Sequence, residues 1–538
     1  YTLAVAPPAG ALPASGDKRG GLQIALQPRL AEGLPGVRDW FARYPYSCLE
    51  QTVSKSIGLR DEQLWQQTVA RLPAYLDSDG LAYYFPPQGA DAARGSDSLT
   101  AWLLAATHEA GQLRKAFTLP DAMRAQMIAG LTAFVEGRIE RRHWSPREDL
   151  DVRKLAAIEA LSRHGAARPA MLSSLTIAPN QWPTSAVIDW INVLKRLQGI
   201  PNQREQLSQA EQILRARLSA QGTRLAFSTE ADDHWWWLMA GGDVNAARLL
   251  LTVMNDPAWK DDLGRLVAGF IGRQQNGAWA TTTANLWGGL ALEQFSKAHE
   301  STPVAGFTLA RLGANSNAVD WAKVTRLKAS DPQGATHAAS AFGAPAAPGM
   351  LTNNTLLLPW GAGPATLSVT HEGSGKPWLT VQSLAAVELK APFAAGYQIK
   401  KTITPVEQAD RKLPAGQYSR GDILRVTLDI TAASDMTWVA VTDPVPTGAT
   451  ILGSGLGRDS AIATLGEKLG RTTLPIFEER SFEAFRAYYE HLPKGTVKVE
   501  YTLRLNNAGS FQLPPSRVEA LYAPEMFGEA PNARVTVR

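Results

Sequence analysis

The sequence predicts a multidomain α + β chain: a helical block set between β segments and followed by an antiparallel β-sandwich. Three observations carry this reading. From about Arg38 to about His299, apolar residues recur at helical spacing. After about Pro303, Gly, Pro, Thr and Val become more frequent and the period drops to two. Ahead of the helices, LQIALQPRL (22–30) reads as one strand behind a Pro-, Gly- and Ala-rich loop, APPAGALPASGDKRGG (6–21).

Within the helical block, SLTAWLLAATHEA (98–110), RAQMIAGLTAFVEG (124–137), DVRKLAAIEALSRHG (151–165) and TTANLWGGLALEQF (282–295) carry apolar stripes. In the third, Val152, Leu155, Ile158 and Leu161 share a face and Gly165 supplies a stop. A faint repeat accompanies them. LDSDGLAYYFP (76–86) and QQNGAWATTT (274–283) each place a turn and an aromatic ahead of a helix. Repeated helical hairpins of this kind close into a ring or stack as a solenoid. Further on, ATLSVTHE (365–372), WLTVQSLAAVEL (378–389), DILRVTLDIT (422–431), TWVAVTD (437–443) and TVKVEYTLRL (496–505) read as strands with polar outer faces. DPVPTG (443–448) reads as a turn, and APFAAGY (391–397) as a boundary between two β domains.

The composition excludes several function classes. A net charge of +4 from 54 basic and 50 acidic residues is too balanced for a nucleic-acid binder, and no basic stripe with interleaved aromatics is visible. One cysteine rules out an internal disulfide framework and a Cys-rich zinc site. The eight histidines are scattered, without H-x-x-x-H spacing, so no metal or other cofactor is expected. No apolar run reaches membrane-span length. A chain that opens at Tyr1, without Met or a signal-like run, is expected to be a piece of a longer protein.

The lone cysteine sits in YPYSCLEQT (44–52). CLEQTVSKSIGL starts a helix with Leu49, Val53 and Ile57 on one face, and Pro45 fits the entry. Side chains three apart are neighbours on such a turn, so the sulfur of Cys48 can meet the carboxamide carbon of Gln51. Attack with loss of ammonia gives an internal thioester. A helix N-terminus favours the thiolate and polarises the thioester carbonyl. Glu50 between them faces elsewhere, which points to an assembly role. A cysteine at a helix start is otherwise a small buried hydrophobe.

YPYSCLEQT resembles the Y-P-x-x-C-x-E-Q signature of the alpha-2-macroglobulin and complement thioester family, and the Tyr-Pro-Tyr lead-in is most similar to its bacterial members. The likeness extends over essentially the whole chain. It implies a CUB-type β domain and linker beginning at 1–32, an α/α-toroid thioester domain at 33–302, the rest of the CUB-type domain at 303–392, and a macroglobulin-like β-sandwich at 393–538. It implies that Tyr44, with Tyr46 beside it, shields the thioester, and that a methionine of the C-terminal sandwich, Met526 in YAPEMFGE (522–529), does the same. Ordinary core filling is the alternative for each. In complement-type members a histidine takes the acyl group first. His143 lies at about the right place, although a solvated histidine in the basic loop RIERRHWSPRED (138–149) is the plainer reading. His164 is a further option, at a helix end that suits an imidazolium.

The resemblance further implies a protease trap that reacts once and is not an enzyme. The trap acts after cleavage of a bait region upstream, and its partners are proteases, joined through their lysine amines. It implies a periplasmic protein anchored to the inner membrane by a lipidated N-terminus, and a possible link to a peptidoglycan-synthesising penicillin-binding protein. Two alternatives stand beside it: a cysteine hydrolase or acyltransferase with Cys48 as nucleophile and His143 as base, and an inert scaffold without a thioester. WWW (235–237) reads as core packing rather than a binding platform, and the pairs Asp149/Asp151 and Asp232/Asp233 read as helix caps rather than metal ligands.

Overall fold

The computed structural model describes residues 1–538 except 10–19, 33, 88–93, 229–232, 327–350, 361–362, 386, 388, 454–463, 465–466 and 468–472. The chain folds as two compact units, Tyr1–Val387 and Glu388–Arg538.

In the first unit, strands from both ends of the segment pair with each other. Thr2–Val5, Ala365–Ser374, Ala305–Leu312 and Asn315–Asp320 form an antiparallel sheet in that order. Trp378–Leu384, Gly21–Gln27 and Thr355–Leu358 form a second. Ile24 lies opposite both Val381 and Leu356, and a shared core of Leu22, Leu26, Leu312, Leu358 and Leu367 joins the sheets. The strand Gly21–Gln27 stops short of the expected Leu30, because Pro28 has no N–H to donate to the ladder. Since residue 24 is hydrogen-bonded between residues 356 and 381, everything helical between them is an insertion into this β domain.

The insertion holds eleven α-helices among the described residues: α1 (Pro35–Arg43), α2 (Leu49–Leu59), α3 (Glu62–Arg71), α4 (Asp97–Leu113), α5 (Asp121–Val135), α6 (Leu150–Arg163), α7 (Thr184–Arg196), α8 (Gln203–Ala216), α9 (Gly242–Val253), α10 (Leu263–Ile271) and α11 (Thr282–His299). Packing runs from α2 to α11, α9, α7, α6 and α4, and from α4 back to α2, in a closed circuit. The repeat seen in the sequence is local chemistry. A short bridge, Leu76 to Ala82 or Gln275 to Ala278, precedes a hydroxyl cap. Ser96 accepts from the Leu99 N–H and Thr281 from the Ala284 N–H, each at 3.1 Å. α6 ends as expected, with Gly165 at φ +67°. A β-hairpin, Leu218–Gln221 with Arg224–Phe227, interrupts the helices and was not legible in the sequence. It lies so close to α10 that a Cβ on Gly269 would fall 2.2 Å from the Leu225 oxygen.

Charged side chains join the circuit from inside. Glu159 of α6, 1% exposed, accepts from Arg163 and from Arg196 of α7, each at 2.8 Å. Arg163 also reaches Glu109 of α4, which takes a bond from Gln294 of α11 at 2.8 Å. Arg248 of α9 holds Asp189 of α7 at 2.6 Å. Burial opposes the charge on Glu159, but Arg163, Arg248 and Arg196 outweigh it and hold the carboxyl well below the usual range. Buried charges survive only when paired like this.

In the second unit, Phe393–Ala395, Ala523–Ala530, Ser516–Ala520, Met436–Pro444, Ala484–Leu492 and Phe477–Arg480 make a six-stranded sheet in that order. Tyr397–Glu407, Ile423–Ala432, Gly495–Arg504 and Thr450–Ile451 make a four-stranded one. Phe485 of the first stacks on Tyr501 of the second at 4.6 Å. The turn expected at 443–448 begins two residues late, because the strand runs on through Pro444, with Asp443 in it and fully buried. Its carboxylate takes the Tyr501 hydroxyl at 2.6 Å, the Lys401 ammonium at 2.8 Å and the Ser516 hydroxyl. Burial first, then Asp443, pushes the Tyr501 phenol well up. Asp443→Ala would take the acceptor from the buried Tyr501 hydroxyl and the carboxylate from Lys401 and Ser516, leaving those two only Asn532. We expect it to cost the second unit about 3–5 kcal/mol in urea unfolding and to leave the transition of the first unit in place.

Candidate functional site

Two helices meet at a short extended link. α1 ends at Arg43 with Tyr44 as its extended C-cap, and the chain passes Pro45, Tyr46 and Ser47 before Cys48 (φ −63°, ψ 169°) serves as the N-cap of α2. The first amides of a helix lack partners within it. Here the Leu49 N–H bonds to the Tyr84 oxygen at 2.8 Å, which seats the helix start in the block. The apolar face Leu49, Val53 and Ile57 is buried. Gly58 allows α1 to lie close, since a Cβ there would meet Phe41 at 2.3 Å.

Cys48 and Gln51, each 1% exposed, are arranged as a capping box. The Cys48 side chain sits over the backbone N–H of Gln51, while the Cys48 N–H donates to Gln51 Oε1 at 3.0 Å. The other end of the carboxamide is also held: Nε2 donates to the Tyr44 hydroxyl at 3.1 Å. Tyr44, half-buried, stacks on Trp40 at 4.6 Å and meets buried Tyr46 edge-on at 5.4 Å. Tyr44 thus reaches the amide with two further rings, Trp40 and Tyr46, packed on its own. Burial, and to a smaller degree Cys48, pushes the nearby Tyr75 phenol up, against the pull of Arg71.

α2 is tied to α11 at both ends. Glu50, fully buried, accepts from Ser54 at 2.6 Å and from Thr282 of α11 at 2.9 Å. Arg60, the left-handed C-cap, donates to the Ala31 oxygen at 2.9 Å and pairs with Glu293 of α11 at 3.4 Å. Glu50 therefore faces away from the sulfur and serves assembly, as its offset in the sequence implied. Thr282, Trp40 and Tyr84 were not foreseen, because only the fold brings them to the motif. Chemically, the site aligns a sulfur with an amide whose oxygen already rests on a helix N-terminal N–H.

Residues 396–525 match the bacterial alpha-2-macroglobulin MG10 domain. An alpha-2-macroglobulin homolog from Nostoc sp. is 21% identical over 394 residues, 71% of this chain and 19% of that protein. The chain thus spans about a fifth of the length of this curated relative. Native alpha-2-macroglobulin from Escherichia coli, spanning domain MG7 to the C-terminus, superposes with a TM-score of 0.65 at 16% identity, over all of this chain and 81% of that one. Salmonella alpha-2-macroglobulin reacted with methylamine superposes with a TM-score of 0.62 at 16% identity, over all of this chain and 33% of that one. At such identities the solved structures speak for the fold. The chain is similar to bacterial alpha-2-macroglobulins in one matched domain, residues 396–525, and in its fold.

The remaining sequence-predicted residues each have partners of their own. Met526 lies on the strand Ala523–Ala530 of the second unit, with its side chain against Gly396. His143 is not a solvated loop residue. Its Nε2 meets Asp149 at 3.1 Å, and the same carboxylate takes the Trp237 indole at 3.0 Å and Arg153 at 2.9 Å. Burial opposes the charge on Asp149, but these bonds and Arg153 hold its carboxyl below the usual value. Asp149 stands at the N-cap of α6 without capping it, because Arg153 and His143 draw its carboxylate away. Asp151 instead accepts from the Thr176 N–H, and Asp233 takes the Thr184 N–H at the start of α7 at 2.7 Å; Asp232 lies outside the described residues. Trp235 and Trp237 are buried and stacked at 4.9 Å, as core packing requires. His164 is the C-cap of α6, but burial lowers its pKa, so the expected imidazolium is disfavoured.

Two outcomes are expected. Glu50→Ala leaves buried Ser54 and Thr282 hydroxyls without their carboxylate and is expected to lower stability by about 1–3 kcal/mol in thermal unfolding. His108 packs edge-on against His164, and burial, then Arg163, lowers its pKa to about 4 from an ordinary 6.5. As pH falls from 6.5 toward 4, the unfolded chain gains a proton that the folded chain refuses, so stability falls. His108→Leu is expected to shrink that acid loss of melting temperature.

Proposed function

We propose that this chain carries the covalent trapping element of a protease inhibitor, an internal thioester between Cys48 and Gln51. The observation that supports it most is the capping box of two buried residues, sulfur against amide, under an aromatic cover. Attack of the Cys48 sulfur on the Gln51 carboxamide carbon, with release of ammonia, stores an acyl group. Exclusion of water preserves it. We read the closed circuit of helices as an α/α-toroid thioester domain and the β domain that hosts it as CUB-type. A protease that cuts a bait region in the full-length protein would release the cover. One of its lysine amines would then take the Gln51 acyl group, and Cys48 would leave as a thiol. Each molecule reacts once, so there is no turnover and no enzyme. A periplasmic setting suits a reactive acyl group aimed at foreign proteases. Tyr44 and Tyr46 fit the shielding role, and Met526 is proposed for it as well. The methylamine treatment named for the Salmonella relative accords with this reading.

Methylamine tests the reading directly. Intact mass and peptide mapping are expected to find one methylamide at Gln51 and one newly titratable thiol at Cys48, both abolished by Cys48→Ala. A thiol titratable from the start beside an unmodified Gln51, with no adduct, would refute it.

A further inference from the structure

Making the bond is itself a difficult step, and it rests on the thioester reading above. An amide nitrogen does not depart as an anion; it must gain a proton as the carbon–nitrogen bond breaks. The group touching that nitrogen is the Tyr44 hydroxyl, 3.1 Å from Nε2, while the Cys48 N–H holds Oε1 at 3.0 Å. The two ends of the carboxamide are therefore distinguished before any reaction, with a dipole donor on the oxygen and a phenol on the nitrogen.

We propose that Tyr44 is the proton donor in the self-processing step that creates the thioester, a catalytic role separate from covering the finished bond. In the amide, Nε2 donates to the phenol oxygen. When sulfur adds to the carbon, the oxygen takes the negative charge against the Cys48 N–H, and the nitrogen becomes a pyramidal amine with a lone pair. The same contact then reverses, and Tyr44 donates. The carbon–sulfur bond remains, the carbon–nitrogen bond breaks and ammonia leaves. The proton lost by the thiol restores the phenol, so the balance is thiol plus amide to thioester plus ammonia, with no other reactant. Trp40, stacked at 4.6 Å, and the edge of Tyr46 hold the ring in place for this transfer.

The test follows ammonia loss by intact mass in freshly synthesised full chain, with peptide mapping of position 51. Wild type is expected to become lighter by one ammonia. Tyr44→Phe keeps the ring but lacks the proton, and is expected to convert at least about 100-fold more slowly, retaining an intact Gln51 amide and a titratable Cys48. Tyr44→His, which restores a ring donor, is expected to convert faster than Tyr44→Phe. Tyr75→Phe, removing the other phenol that senses Cys48, is expected to convert like wild type. A Tyr44→Phe chain that converts at the wild-type rate, or that reaches glutamate at position 51 as fast as the wild type loses ammonia, has formed its thioester without the phenol and overturns the proposal. Those results leave the thioester reading intact. A wild-type chain that never loses ammonia defeats both.

Discussion

A carboxamide buried at a helix N-terminus and held at both of its polar ends is the constraint on which the first unit depends. Gln51 cannot lie there without partners, because a buried amide left unbonded is costly. The Cys48 N–H meets its oxygen and the Tyr44 hydroxyl its nitrogen. Satisfying both fixes the link 44–48, and that link fixes where α1 ends and α2 begins. The sulfur is carried into the same space by the geometry of one helical turn.

Such a grip is only as rigid as the helix that bears it. α2 is short, and isolated helices of its length are marginal in water. Its order comes from α11, through Thr282 on Glu50 at one end and Glu293 on Arg60 at the other. α11 in turn is tied into the β domain, where its Ser296 hydroxyl accepts from the Ala31 N–H and Glu300 accepts from the Leu30 N–H and the Trp378 indole. A displacement of the β strands would thus be felt at the start of α2 through one helix, without any contact to the sulfur itself.

The arginine–carboxylate network inside the helical circuit shows the same economy. Glu109, Glu159 and Asp189 come from α4, α6 and α7, and their partners from α6, α7 and α9. None of these pairs is signalled by spacing alone, apart from Glu159 and Arg163 four residues apart. The second unit uses a single carboxylate, Asp443, for a comparable purpose: it fastens Lys401 and Tyr501 of one sheet to Ser516 of the other.

The sequence by itself determined the periodic elements and the chemistry of the motif. Helical spacing marked α2, α4, α5, α6 and α11, period two marked the long strands, and the offset between Cys48 and Gln51 placed sulfur beside amide, because these are consequences of local backbone geometry. Short elements such as the hairpin at 218–227 escaped, since four-residue strands carry too little pattern. Polar residues were the least legible. Spacing suggests a cap at Asp149 and a solvated His143, whereas Arg153, one turn further along the same helix, and Trp237, from a distant part of the chain, hold the carboxylate that His143 meets. Trp40, Tyr84 and Thr282 reach the site only through packing. Tertiary structure alone chose the partners of Gln51 and Glu50, because the free energy of a buried polar group depends on what surrounds it in space, which no window along the chain records.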